Sequence, residues 1–365
     1  MGNFLLSGTN LANMNYMPDP EETVARLALI PNLHITTSAL LAPHTRFGIG
    51  GPADVYAETP SPEAFVAALD IARASGIDHV VIGGGTNLIV SDAGFRGIVL
   101  KLIADRIEIA NGHALAEGGA ILQDLVDRTV AAGLQGVETM TGIPGSVGAA
   151  IYGNAGAYGH SISERTESVR FYDGRRMRTF SRDQCEFHYR ESIFKKHKDW
   201  IILSLNLALS AAQPAELKAK ADGILAIRNE KYPPTMKCAG SIFKNFLLDE
   251  LPAAIQAALP GNVIREGKVP SAYFLEQVGA KGMAVGDILV ADYHANLIYN
   301  AGHGTARDLR RLIAELKRRV WDRFGITLEE EVQYVGPPDF TLPPDRVVGD
   351  SALGGGGSAR RDPRG

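Results

Sequence analysis

His79-Val80-Val81-Ile82, followed at once by Gly83-Gly84-Gly85-Thr86-Asn87-Leu88, is the stretch on which the fold turns. The first four residues read as a short buried strand. The glycines after it let backbone N–H groups converge on one anion, and Thr86 and Asn87 add side-chain hydrogen bonds. Taken alone, the same residues also describe a sharp glycine turn. The next strand-like run, Gly97 to Ile103, starts only about a dozen residues later. That gap is too short for a crossover helix, so the spacing argues against a regular doubly wound βαβ unit.

Two further glycine clusters flank this one. Thr141-Gly142-Ile143-Pro144-Gly145-Ser146-Val147-Gly148 has the look of a phosphate loop but lacks the lysine that nucleotide-triphosphate hydrolysis needs. Gly48-Ile49-Gly50-Gly51-Pro52-Ala53 has dinucleotide-fold spacing, yet no strand-like run precedes it and strand-like Val55-Tyr56-Ala57 follows it. A Rossmann domain is therefore rejected. Two lysine-free backbone cradles, far apart in sequence, suit a diphosphate held between two subdomains. The residues by themselves reach a dinucleotide or nucleotide-sugar binder and no further.

Composition narrows the class. The chain has 365 residues, with 37 basic and 41 acidic side chains and a formal net charge of −4, so no basic excess marks nucleic acid as a partner. The length suggests two or three domains. Thr139 to Ser163 carries no Asp, Glu, Lys or Arg and is long enough to span a bilayer, but six glycines and Asn154 make it a loop-rich ligand site. The N-terminus has no basic region ahead of an apolar core, so it is not read as a secretory signal. Cys185 and Cys238 are the two cysteines, without metal-ligand spacing, and neither a disulfide framework nor a metal site is expected. These features describe a cytoplasmic protein with no membrane span.

Along the chain, Ser61-Pro62-Glu63 caps a helix whose apolar residues Phe65, Val66, Leu69 and Ala72 recur at helical spacing and which Gly76 ends. Ile121 to Ala132 reads as a helix, Ser168 to Tyr172 and Ile201 to Leu209 as strands, and Pro214 opens a helix marking the passage to a second unit. Thr305-Ala306-Arg307-Asp308 is a capping box before Leu309, Leu312, Ile313, Leu316 and Val320, the clearest amphipathic helix present. Ile326 to Val335 reads as a closing strand. The expected division is an N-terminal extension over 1–33, a first domain over 34–210, a second over 211–336 and a disordered Pro/Gly-rich tail over 337–365. Met14 and Met17 leave room for a later start.

The ordered set of motifs resembles the UDP-N-acetylenolpyruvoylglucosamine reductase (UDP-N-acetylmuramate dehydrogenase) family. The motifs are Gly83 to Leu88, Gly142 to Gly148, Gly153-Asn154-Ala155-Gly156-Ala157-Tyr158-Gly159, Tyr189-Arg190-Glu191-Ser192-Ile193-Phe194-Lys195 and Ala239-Gly240-Ser241-Ile242-Phe243-Lys244-Asn245. His294-Ala295-Asn296 and Phe324-Gly325-Ile326-Thr327-Leu328-Glu329-Glu330-Glu331-Val332 continue it, so the likeness runs from about residue 34 to 336. It implies an α+β protein: a vanillyl-alcohol-oxidase or PCMH-type FAD domain of two α+β subdomains, then a C-terminal α+β substrate-binding domain. About 50 residues separate Arg190 from Ser241, so the substrate-closing loop of one subclass is absent and the chain resembles the second subclass.

The resemblance implies non-covalent FAD, NADPH as reductant, and the enolpyruvyl ether of UDP-N-acetylglucosamine as substrate in peptidoglycan precursor synthesis. It places Gly83, Gly84, Gly85, Thr86, Asn87, Leu88, Thr141, Gly142, Pro144, Gly145, Ser146, Gly148, Asn154, Gly156 and Ala157 at the cofactor. Tyr189, Lys244, Asn245 and Gln277 fall at the substrate, and Arg190, Ser241 and Glu331 in catalysis. The family reaction delivers a hydride to the terminal vinyl carbon and a proton to the carbon bearing the ether oxygen. Arg190 offers a planar, permanently charged fork to the substrate carboxylate, against the simpler reading of an ion pair with Glu191. Ser241 donates the proton, with Lys244 as one aid to its alkoxide. Glu331 sits in a run of three glutamates whose mutual repulsion would favour a protonated member. His294 is expected to be a satisfied structural histidine. Phe246, where proline is usual, and the loosely similar Phe274-Leu275-Glu276-Gln277 depart from the family pattern. Two other readings stand beside this one: a different FAD-dependent oxidoreductase or oxidase on the same fold, and a non-catalytic nucleotide-sugar-binding protein.

Overall fold

The computed structural model describes residues 19–340. The N-terminal sheet has four strands in the order His34–Leu40, Pro52–Thr59, Phe95–Leu102 and His79–Ile82. The first pair is antiparallel and the other two pairs are parallel. As expected, no helix joins His79–Ile82 to Phe95–Leu102. The strands are nevertheless parallel neighbours, because the connection leaves the sheet through a separate short strand, Leu88–Val90. The helix Pro62–Ser75, capped by Ser61 and closed by Gly76 at φ +71°, links Pro52–Thr59 to His79–Ile82 and packs Phe65, Leu69 and Ala72 on the sheet.

The second sheet is five-stranded and antiparallel, in the order Met177–Ser181, Thr166–Tyr172, Ile201–Ala208, His113–Glu117 and Ile107–Ala110. Its core takes Leu122, Leu125 and Val126 from the helix Leu122–Ala131 and Val147 and Ile151 from the helix Val147–Tyr152. A third, antiparallel sheet orders Lys237–Ser241, Leu297–Asn300, Ile288–Val290 and Ala284–Val285. The helix Ala306–Phe324 lays Leu309, Leu312, Ile313, Leu316 and Val320, all fully buried, into the core of this last unit. Its capping box uses Thr305 and Asp308 as read from the sequence, and Gly325 closes it at φ +65°. The architecture is α+β in two flavin-fold subdomains and a C-terminal unit.

Four expectations are corrected. The N-terminal extension is not loose throughout: the helix Pro20–Ala28 buries Leu27 fully against the first core, with Val24, Ile30 and Leu33 packed around it. The alternative starts at Met14 and Met17 lie outside the described residues. The helix Pro214–Lys231 does not simply open the second unit, since Leu217 and Ala221 complete the core of the five-stranded sheet. The closing segment is a strand only over Gln333–Val335, where it pairs in parallel with Leu88–Val90 and so returns the C-terminal unit to the glycine loop. Finally, the tail does not begin at Pro337. Phe340 packs edge-on against Tyr334, with the Arg310 guanidinium 4.7 Å from its ring centre and bonded to its carbonyl. The rest of the tail lies outside the described residues.

Candidate active site

The two glycine clusters, 58 residues apart along the chain at Thr86 and Pro144, lie against each other, and the Thr86 hydroxyl donates to the Pro144 carbonyl at 3.3 Å. A methyl group on Gly84 would stand 3.1 Å from the Gly145 Cα, and one on Gly145 would stand 2.9 Å from the Thr86 hydroxyl. One on Gly83 would meet the Ser146 hydroxyl at 3.0 Å. The loops approach this closely because neither carries side chains between them. Gly85 has a different reason: at φ +66°, a Cβ there would lie 1.8 Å from the His44 carbonyl oxygen. The N–H groups of Gly84, Gly85, Thr86, Gly145 and Ser146 find no acceptor among the described residues. Free donors on two facing glycine loops fit the diphosphate of a dinucleotide cofactor.

A cleft of about 480 Å³ runs along this seam, lined by Gly83 to Leu88, Ser146, Gly148 and Tyr152, and reaches Arg190, Glu331 and Gln333 at one end. Several residues expected at the cofactor have their polar groups committed elsewhere. The Gly142 N–H donates to the Gln123 side-chain oxygen at 2.6 Å, and the Thr141 hydroxyl accepts from the Gln123 amide at 3.1 Å. Both therefore brace the second loop from behind. Asn154 donates to the His188 carbonyl at 2.8 Å and accepts from the Ser163 N–H at 3.4 Å. The Gly156 carbonyl accepts from the Arg190 guanidinium at 3.2 Å, and Ala157 pairs with His160. This stretch positions the segment that carries Tyr189 and Arg190.

Arg190 has φ +57°, a left-handed backbone that a non-glycine residue adopts only when its surroundings impose it. The surroundings do so: Lys195 Nζ donates to the Arg190 carbonyl at 2.6 Å, and the buried Ser192 hydroxyl donates to the Tyr152 carbonyl at 2.7 Å. The side chain does not pair with Glu191. Its Nε stands 2.9 Å from Oε1 of Glu331, but the N–H is not aimed along that line and has no hydrogen-bond acceptor. The contact is an ion pair that leaves the fork able to take a second carboxylate. Glu331 is fixed from both sides, its N–H donating to the Ile242 carbonyl at 2.8 Å and its carbonyl accepting from Asn87 at 2.8 Å. Glycine loop, Arg190, Glu331 and the Ser241 segment thus meet at one place.

The run of three glutamates does not crowd its charges. Each carboxylate meets its own cation: Glu329 with Lys244 at 2.5 Å, Glu330 with Lys317 at 2.9 Å, Glu331 with Arg190. Three cations thus stand against the three charges of the run. Lys244 also differs from expectation. Burial disfavours its charged form, but hydrogen bonds with Glu191 and Glu329 outweigh that and hold its pKa above the usual lysine value. Its ammonium is committed to those carboxylates, not to Ser241.

Ser241 ends the strand Lys237–Ser241 after a bulge at Ala239 and Gly240, with Gly240 at φ +77°. Asn296, from the His294-Ala295-Asn296 motif, clamps the next turn by accepting from the Phe243 N–H at 2.9 Å and donating to its carbonyl at 2.8 Å. The Ser241 hydroxyl lies 3.4 Å from that of Tyr232, a residue the sequence did not single out. Tyr189 is joined to Asn245, whose N–H donates to the phenol oxygen at 3.4 Å, and burial raises the phenol's pKa. Gln277 is not brought to this place: it is exposed and engages Arg323 at the far end of the long helix. His294 is not satisfied. Its Nδ1 accepts from the Asn296 N–H at 3.4 Å, its Nε2 is buried without a partner, and burial, aided by Lys231 and Lys281, lowers its pKa to about 4.

A glycine-lined cleft between two α+β subdomains, closed at one end by a C-terminal unit, defines an FAD-dependent oxidoreductase. Residues 53–175 match the family model described as an FAD binding domain, and residues 232–335 match the model of the UDP-N-acetylenolpyruvoylglucosamine reductase C-terminal domain. A UDP-N-acetylenolpyruvoylglucosamine reductase of Solibacter usitatus is 63% identical over 311 residues, which are 85% of this chain and 100% of that protein. The Bacillus subtilis reductase is 33% identical over 81% of this chain and 92% of its own length. The crystal structure of the Thermus caldophilus reductase superposes with a TM-score of 0.63 at 26% identity, over 83% of this chain and 98% of that one. The chain belongs to the UDP-N-acetylenolpyruvoylglucosamine reductase family, flavoproteins of peptidoglycan precursor synthesis. Among the described residues no helix is long and apolar enough to cross a membrane.

Proposed function

We propose that the chain reduces the enolpyruvyl ether of UDP-N-acetylglucosamine to UDP-N-acetylmuramate with NADPH as reductant, in the cytoplasm. The observation that carries this reading is the meeting of Arg190, Glu331 and the Ser241 segment at one end of the glycine-lined cleft. FAD, bound without a covalent link, supplies the hydride carrier. The Gly83–Asn87 and Pro144–Ser146 loops hold its diphosphate through their free N–H groups. Arg190 takes the substrate carboxylate on its fork and stabilises the negative charge that spreads there as the double bond is reduced. Ser241 delivers the proton to the carbon bearing the ether oxygen, with Glu331 as the second acid of the site. Tyr189, Lys244 and Asn245 line the substrate side. We place the passage between the flavin domain and the substrate domain along the Pro214–Lys231 helix, whose first half completes the core of the five-stranded sheet.

Anaerobic mixing tests the whole reading. NADPH should bleach the flavin absorbance of the purified protein, and the enolpyruvyl sugar nucleotide should then restore it with one equivalent of product. An oxidase would be reoxidised by oxygen and not by that substrate, and a binding protein would show no bleaching. Either result overturns the assignment.

A further inference from the structure

The proton donor assigned above needs help for which the sequence offered Lys244 as one aid, and the inference that follows rests on that assignment. As Ser241 gives up its proton, charge develops on its oxygen and must meet a donor or a cation. Lys244 is held by Glu191 and Glu329 at 2.8 and 2.5 Å. The group beside the Ser241 oxygen is the Tyr232 hydroxyl, 3.4 Å away. Tyr232 is the C-cap of the Pro214–Lys231 helix, with φ −130° and ψ 75°, outside the helical region. Pro233 follows it directly, and a residue before proline is pushed out of the helical region by the ring. The local sequence therefore ends the helix at Tyr232. The face of its ring is flanked by two cations, the Arg228 guanidinium at 5.6 Å and the Lys231 ammonium at 5.1 Å from the ring centre. The His294 ring stands 6.4 Å away, tilted by 51°. These contacts hold the ring where its hydroxyl meets that of Ser241.

We propose that Tyr232 is the positioning residue for the proton donor: it fixes the Ser241 hydroxyl and donates a hydrogen bond to its oxygen as the proton leaves. In that step the Ser241 O–H bond breaks and a C–H bond forms on the substrate carbon bearing the ether oxygen. The electron pair left on the serine oxygen is stabilised by the Tyr232 O–H until solvent returns a proton to the serine. No described contact gives that oxygen another donor.

The test follows the two half-reactions by stopped-flow in Tyr232→Phe, Ser241→Ala and the double variant, with flavin content and thermal midpoint as controls. Tyr232→Phe should reoxidise roughly ten- to a hundredfold more slowly on the enolpyruvyl substrate, the worth of one hydrogen bond to a charged group. Its reduction by NADPH and its substrate binding, titrated on the oxidised enzyme, should match wild type. The solvent deuterium isotope effect on reoxidation should grow, a change that a purely structural role would not produce. Tyr232→His, which restores a ring donor, should recover part of the rate. In the Ser241→Ala background, Tyr232→Phe should add nothing, since both changes remove one function. An unchanged reoxidation rate in Tyr232→Phe, equal slowing of both half-reactions, or losses that multiply with Ser241→Ala would overturn the proposal while leaving Ser241 as donor. Normal reoxidation in Ser241→Ala would instead remove the proton-donor assignment itself, and this proposal with it.

Discussion

Arg190 and Glu331 stand 2.9 Å apart with no hydrogen bond aligned between them, each only about a quarter exposed. The arrangement brings together the group proposed to bind the substrate carboxylate and a group proposed to act as an acid. A substrate carboxylate bound there would compete with Glu331 for the same guanidinium. Binding and proton delivery would thereby be tied to one side chain.

That competition gives the first expected outcome. Glu331→Gln removes the carboxylate that competes for Arg190, and the acid it becomes once protonated, while keeping the shape. Reoxidation by the enolpyruvyl substrate should slow by about 10²–10⁴-fold, the usual worth of a positioned acid, while reduction by NADPH is unchanged. Apparent affinity for the substrate should not fall. Arg190→Lys keeps the charge but loses the fork, and should lower kcat/KM for this substrate by about 10²-fold. Steady-state and single-turnover rates on the two variants check both statements, and a loss of flavin reduction in either would contradict them.

The glycine loops give the second. Gly84→Ala would place a methyl 3.1 Å from the Gly145 Cα without a left-handed backbone to strain. Flavin affinity should drop while the thermal midpoint of the flavin-free protein hardly moves. Gly85→Ala meets the His44 carbonyl oxygen at 1.8 Å and sits at φ +66°, so it should destabilise the fold itself by several kcal/mol. Flavin released on acid denaturation, measured beside thermal melts, separates the two effects. Flavin that stays with the denatured chain would exclude the non-covalent assignment.

How much of this was legible in the sequence depends on the range of the interaction. Local signals read true: the Ser61 and Thr305 caps, the left-handed Gly76 and Gly325, and the buried stripe Leu309 to Val320 all depend on neighbours a few residues away. Pairing between distant segments was not legible. The union of Leu88–Val90 with Gln333–Val335 joins two runs of three residues, too short for a period to show, and it is what carries Glu331 to the glycine loop. The glutamate run misled for the same reason, since sequence shows three like charges but not the three cations that meet them. Tyr232 and Gln123 act through single side chains on distant backbone or hydroxyl groups, and nothing in their immediate sequence announces it. Pro233 was a signal that a residue before it leaves the helix, but not of where that residue points.

Lys317 and Glu330 supply the third expected outcome. Their side chains are 9% and 8% exposed and their charges 2.9 Å apart, beneath the segment that carries Glu331. Lys317→Met removes the cation facing the buried Glu330 carboxylate, which keeps only the Tyr334 hydroxyl among its described partners; removing one partner of a buried pair costs about 3–5 kcal/mol. Denaturant unfolding should show a loss of that order, with Glu330→Gln milder because the amide oxygen can still accept from the Lys317 ammonium. A Lys317→Met protein as stable as wild type would mean that the pair carries no net stabilisation.

His294 sets a pH dependence whose sign follows from its burial. The folded protein holds its pKa at about 4, below the 6.5 of a free histidine. Between those values the unfolded chain binds a proton that the folded chain does not, so stability falls as pH is lowered from 6.5 toward 4 and this contribution levels off below 4. The full span corresponds to about 3 kcal/mol at most, from roughly 1.4 kcal/mol per pKa unit. His294→Asn keeps an acceptor for the Asn296 N–H and removes the titration. Carboxylates that titrate in the same region are common to both proteins and cancel in the comparison. Thermal melts from pH 7 to about pH 3 should therefore show wild type losing stability faster than His294→Asn between pH 6.5 and 4, with the curves running parallel below pH 4. Parallel curves across the whole range would show that the ring takes up its proton in the folded protein as readily as in the unfolded chain.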